Sequence, residues 1–124
     1  MNDPEVSMSK AVTHTNLIAI EKALEAAGMA IQLVMRVPAP LKSIADQVIR
    51  SASSVPANIA EGHGRVGRDR SHHWRIAYAS AKEVESHLTP LVQAGAISRT
   101  GARDAIKGFD EVRAMTWRLL NPTS

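Results

Sequence analysis

The stretch from Leu41 to Gly67, LKSIADQVIRSASSVPANIAEGHGRVG, carries the clearest structural signal in the chain. Leu41, Ile44, Ala45, Val48, Ile49, Ala52, Val55 and Ile59 recur at steps of three and four, which places them on one side of an α-helix. Gly62, Gly64 and Gly67 then interrupt the pattern and mark a stop and a turn.

The same spacing returns on both sides of this segment. Upstream, Leu17, Ile20, Leu24, Ala27, Ile31 and Val34 predict a helix over 15–37, with Thr15 as its cap and Pro38-Ala39-Pro40 as its stop. Residues 1–12 lack a sustained period and are expected to fray. Downstream, Trp74, Ala77, Ala81, Val84, Leu88 and Leu91 predict a helix over 69–94, closed by Gly95 in the left-handed conformation. A fourth helix is predicted over 100–120 through Ala102, Ile106, Phe109, Val112, Thr116 and Leu119. Pro56 and Pro90 fall inside two of these helices, and a bend or a restart is expected at each. Four helices joined by short loops give an all-α, antiparallel up-down-up-down bundle, read as a single domain over 1–124.

Composition agrees with that class. Apolar residues make up 44% of the 124 residues but aromatics only 3%, so the core must be Ala, Leu, Ile, Val and Met. Cysteine is absent, which removes disulfides, thiolate metal sites and cysteine nucleophiles. No apolar run approaches the roughly 20 residues of a membrane span. The opening MNDPEVSMSK is polar and acidic, unlike a secretory signal, so a cytoplasmic location is expected.

Ser51 to Arg65, SASSVPANIAEGHGR, resembles the signature of a bacterial family of four-helix bundles. That family includes proteins encoded in intervening sequences of 23S ribosomal RNA genes. It is similar to the accessory variability determinants of diversity-generating retroelements. The likeness continues through Ile76 to Leu88, IAYASAKEVESHL, and into Ala94 to Ile97. The resemblance implies a ring-like homopentamer without enzymatic activity. In the retroelement branch it also implies RNA and a reverse transcriptase, or another ribonucleoprotein component, as partners.

Gly62 to Gly67 matches G-x-G-x-x-G, but a dinucleotide site needs a strand before the glycines, and a helix precedes them here. Paired Glu-x-x-His motifs of di-iron bundles are absent, since Glu83 and His87 are four apart and occur once. No nucleophile elbow is present. The expectation is therefore a non-enzymatic protein with no cofactor and no metal.

Two groups of polar residues carry the functional reading. Gln47, Ser51, Ser54, Asn58 and Glu61 form a narrow polar stripe on the second helix; His73, Ser80, Glu83 and His87 form one on the third. Small hydroxyls, amides and imidazoles at such positions point to hydrogen bonds between helices or subunits. Asn58, Glu61, Ser80 and Glu83 are its expected members.

The second group is basic. Residues 61–82 hold Arg65, Arg68, Arg70, Arg75 and Lys82 against Glu61 and Asp69, in a chain of net charge +3. An up-down-up-down bundle brings Arg113 and Arg118 toward the same end. Arginine forks pair with phosphate, so these six arginines are candidates for weakly sequence-specific RNA or DNA binding. Aromatic interleaving for base stacking is not evident, with only Trp74 in the segment and Tyr78 a turn further on. A merely solvated basic loop is the alternative, and with it a structural or protein-interaction scaffold that binds no nucleic acid. Ile18, Ala19, Met29, Ala30 and Met35, with Met115, Trp117 and Leu120, fall outside the main stripes and suggest a self-association surface.

Overall fold

A serine opens the chain's first helix. Ser9 Oγ accepts a hydrogen bond from the Val12 amide at 3.1 Å, and α1 runs over Lys10–Val34. The computed structural model describes residues 9–122. Helix α1 therefore starts five residues before the expected Thr15, because Ser9 supplies the cap; of the tail 1–12 expected to fray, residues 9–12 instead form the cap and first turn, and 1–8 lie outside the described residues. A single 3-10 turn, Ala39–Leu41, follows Pro38 and leads into α2, Lys42–His63. Helix α3 covers Gly67–Gln93 and α4 covers Arg99–Leu120.

Helix ends follow local chemistry. Gly95 adopts φ +73°, as expected; its amide reaches Val92 O at 2.9 Å and the Ala96 amide reaches Leu91 O at 2.9 Å. Those two bonds are a Schellman closure, which satisfies carbonyls the helix end would otherwise orphan. Ser98 caps α4 by accepting from the Gly101 amide at 3.0 Å. Neither Pro56 nor Pro90 ends its helix: α2 and α3 each run through as one element rather than restarting. Hydroxyls near both prolines bond back into the helix: Ser53 Oγ, three residues before Pro56, to Ile49 O at 2.7 Å, and Thr89 Oγ1, directly before Pro90, to Glu85 O at 2.8 Å.

The architecture is an all-α four-helix bundle in which α1 packs on α2 and α4, and α3 packs on α2 and α4. The α1–α2 side is thus opposite the α3–α4 side. The core contains most of the expected faces of α2, α3 and α4, with Ile59, Val84, Leu88, Leu91, Phe109 and Val112 all essentially inaccessible; Ile49, expected on the α2 face, is instead exposed.

Helix α1 departs from the expectation. Its inward residues are Asn16, Ala19, Ala23, Ala26, Ala27, Ala30 and Val34, whereas Leu17 is 52% exposed and Leu24 59%. Ala19 and Ala30, expected outside the main stripe, are core residues, and the leucines expected inside are not. Close approach explains the exchange. Gly108 of α4 faces Ala26 so tightly that a Cβ there would sit 3.1 Å from the Ala26 Cβ, and a Cβ at Gly101 would sit 2.6 Å from Leu33 Cδ2. No leucine fits between helices that near. Met29 and Leu33 border clefts shared with α4, and Lys22 pairs with Glu111 of α4 at 3.6 Å. Leu17 and Leu24 lie on the other flank, toward α2, where Ile49 is 37% exposed.

Inserting bulk into the alanine face tests this packing. Ala23→Leu is expected to lower stability by about 1–3 kcal/mol in chemical unfolding. An unchanged midpoint would place Ala23 outside the core.

Candidate nucleic-acid interface

The turn between α2 and α3 is held by the motif that precedes it. Gly62 is buried and leaves room for Trp74, since a Cβ at 62 would collide with the indole ring. The Trp74 indole N–H donates to Ile59 O at 3.3 Å. Arg70 lies 5.7 Å from the Trp74 ring centroid, and its Nε donates to Gly62 O at 3.0 Å. At the same end, Asn16 of α1 donates through Nδ2 to His63 Nδ1. Gly67, at φ +56°, starts the next helix in a conformation that a side chain resists. The glycines thus serve the turn and the tryptophan seat.

Two of the four expected network residues meet. Asn58 Nδ2 donates to Ser54 O at 2.9 Å and to Ser54 Oγ at 3.0 Å, while its Oδ1 accepts from His73 Nδ1 at 3.0 Å. Ser54 Oγ and Ser80 Oγ are 3.0 Å apart, so Asn58 and Ser80 belong to one chain of bonds that joins α2 to α3. Glu61 is elsewhere, paired with Arg65 at 2.8 Å. Glu83 lies along the same α2–α3 seam but forms its own group, with His87 at 3.0 Å and Arg50 of α2 at 3.7 Å.

The six candidate arginines divide by what already occupies them. Arg65 bridges Glu61 and Asp69, each at 2.8 Å, and these carboxylates, Glu61 foremost, raise its pKa above the ordinary arginine value. Arg70 is folded onto Trp74 and the Gly62 carbonyl. Arg113 sits well over two turns from the α2–α3 turn, with its guanidinium 5.3 Å from the Tyr78 ring and Nη1 donating to Asp110 at 3.0 Å. Tyr78 first, then the Asp110 carboxylate, push its pKa up against the opposing effect of burial. Arg68, Arg75 and Arg118 are exposed and have no hydrogen bond or ion pair among the described residues. Arg118 borders a cleft with Ala11, Val12 and Thr15, which puts the end of α4 beside the start of α1 and near the α2–α3 turn, as the topology requires.

The expectation about aromatic residues is corrected. Trp117 is 53% exposed, and its ring centroid lies 6.3 Å from that of Tyr78 across the α3–α4 seam. Tyr78, Lys82, Arg113, Trp117 and Arg118, together with the carboxylates Glu85 and Asp110 that pair with Lys82 and Arg113, border one open groove of about 520 Å³. Sequence spacing within one helix could not reveal this pairing, because it depends on the register of α3 against α4. Among the described residues no group of three His, Asp or Glu side chains is placed to hold a metal ion. No helix among the described residues is long and apolar enough to cross a membrane.

Gly62 provides a direct test of the turn. Gly62→Ala is expected to lower the unfolding midpoint by a margin equivalent to about 1–3 kcal/mol, because the indole must move. Gly64→Ala, where a Cβ would make only an ordinary 3.7 Å contact, is expected to leave the midpoint unchanged or higher. Equal tolerance at both positions would contradict the tryptophan seat.

Comparison with known proteins places this geometry. No curated protein matches the chain. A crystal structure of a protein of unknown function from the S23 ribosomal protein family of Bacteroides thetaiotaomicron is similar, with a TM-score of 0.78 and 24% identity. The match covers 86% of this chain and 98% of that one, and it supports the fold. The family model of 23S rRNA-intervening sequence proteins matches residues 15–118. With that match spanning nearly all of the helical bundle, the chain belongs to the 23S rRNA-intervening sequence protein family.

Proposed function

We propose that the protein is a non-enzymatic, self-assembling helical bundle that binds RNA or DNA phosphate as an accessory module. The observation that carries the binding half is the set of unpaired, exposed cations Arg68, Arg75 and Arg118 toward one end of the bundle. Arginines already neutralised by carboxylates offer a phosphate little, whereas free guanidinium groups release counterions when they meet one. Binding therefore rests on these three, with Arg65, Arg70 and Arg113 in supporting structural roles.

The assembling half rests on the outer flank of α1. Leu17, Leu24 and the 69%-exposed Met35 follow one another at steps of seven and eleven residues, close to one line along the helix. A soluble protomer gains by covering such a stripe, and in a ring the stripe of one copy meets a different face of the next. The homopentamer that the family resemblance implies is the form adopted in this reading. Copying the free arginines around a ring would concentrate their field on a polyanion. Likeness to the retroelement accessory proteins alone suggests a reverse transcriptase, or another ribonucleoprotein component, as a protein partner. A cytoplasmic location fits that role.

The ion pairs of Arg65 with Glu61 and Asp69 favour a second reading, a scaffold that binds other proteins and no nucleic acid. A salt titration of generic RNA binding separates the two. The first reading predicts steep loss of affinity with added salt, and loss of binding in the triple variant Arg68→Ala, Arg75→Ala, Arg118→Ala with helicity retained. Arg65→Ala is expected to bind nearly as well as the unmodified protein. Absence of binding at low salt would leave the scaffold.

A further inference from the structure

The α3–α4 groove carries more than charge. Arg75, Tyr78 and Lys82 stand at i, i+3 and i+7 on α3, so the ring lies between two cations along one side of the helix. Across the seam, Trp117 of α4 meets Tyr78 at a 46° tilt, and Arg118 follows it directly in sequence. Arg113 is fixed beneath: its guanidinium lies against Tyr78, it bonds Asp110, and its Nε is buried without a partner. That arrangement holds Tyr78 in place while leaving about half of Trp117 open to solvent. Lys82 is partly occupied by Glu85 at 3.2 Å; Arg75 and Arg118 are not engaged.

We propose that this groove is a stacking subsite for single-stranded nucleic acid, in which a base lies on Trp117 and the flanking phosphates meet Arg75 and Arg118. The inference rests on the polyanion-binding reading above and extends it from phosphate to base. Exposed tryptophan beside free arginines is the combination that single strands use: every base has a π-face, and the backbone supplies the negative charge. A duplex, whose bases are stacked inside, has no face to offer. The groove is also on the side of the bundle opposite the α1–α2 flank that carries the leucine stripe.

Fluorescence anisotropy with two labelled probes tests the subsite: a short oligoadenylate, and an abasic ribose-phosphate strand of equal length and charge. The expected result is binding of the oligoadenylate roughly ten-fold tighter than the abasic strand, the usual contribution of one stacked base. Trp117→Ala should abolish that difference and leave abasic-strand binding unchanged, while Trp117→Phe should retain most of it. Equal binding of the two probes by the unmodified protein, or an unaltered preference in Trp117→Ala, overturns the subsite and leaves phosphate binding standing. Failure of both probes to bind at low salt overturns the polyanion reading and the subsite together. A change of assembly mass in Trp117→Ala shows instead that a second copy of the chain covers the groove, and likewise overturns the proposal.

Discussion

Helix α1 reaches its neighbours only because the side it turns to them is built almost entirely of alanine. Ala19, Ala23, Ala26, Ala27 and Ala30 give a nearly flat face, and Gly108 opposite Ala26 lets α4 come closer still. The consequence is paid in leucine. Burying a leucine side chain is worth about 1.5–3 kcal/mol, and the protomer forgoes most of that at Leu17 and Leu24. A chain so arranged has a thin, well-packed interior on one side of α1 and an apolar rib on the other. That rib is the surface the proposed self-association covers.

The opposite side of the bundle is chemically different. There the α3–α4 seam brings together the two partly exposed aromatic rings and two unengaged cations, Arg75 and Arg118. Between the two sides, the α2–α3 turn acts as a lock. Gly62, Ile59, Trp74 and Arg70 interdigitate, and the Asn58 chain of hydrogen bonds fixes how far α3 slides along α2. Any slip there would carry Tyr78 away from Trp117, so the structural motif and the candidate interface are mechanically linked. Within the stretch from Ser51 to Arg65, Asn58, Ile59 and Gly62 thus have packing roles at this turn.

Much of this was legible in the residues. Helices α2, α3 and α4 present most of their expected faces because, Ile49 and Trp117 apart, their largest side chains are inside or partly inside, where periodicity and volume agree. In α1 they disagree. The leucine stripe and the alanine stripe are rotated by about a fifth of a turn from each other, and hydrophobicity alone favours the leucines. Only the interhelical distance, set by glycines on α4, decides for the alanines. The ion pairs of Arg65 were readable at i±4 spacing from Glu61 and Asp69; with Arg70 folded onto Trp74 and Arg113 onto Tyr78 and Asp110, they reduce the six candidate arginines to three free ones. Asn58 and Ser80 met because both lie on flanks turned to the same seam, while Glu61 and Glu83 found cations nearer to hand. The Trp117–Tyr78 pair had no local signal, since it joins residues from separate helices whose register is a property of the packed bundle.

The most direct test of the account is the mass of the protein in solution, measured by light scattering on a size-exclusion column, for the unmodified chain and for Leu17→Glu with Leu24→Glu. An outward leucine rib predicts a closed multiple of the 13.4 kDa protomer that falls to a folded, helical monomer in the double variant. A 13.4 kDa species for the unmodified chain at high concentration would contradict it, as would unfolding of the double variant, because leucines that hold the protomer together belong in its core.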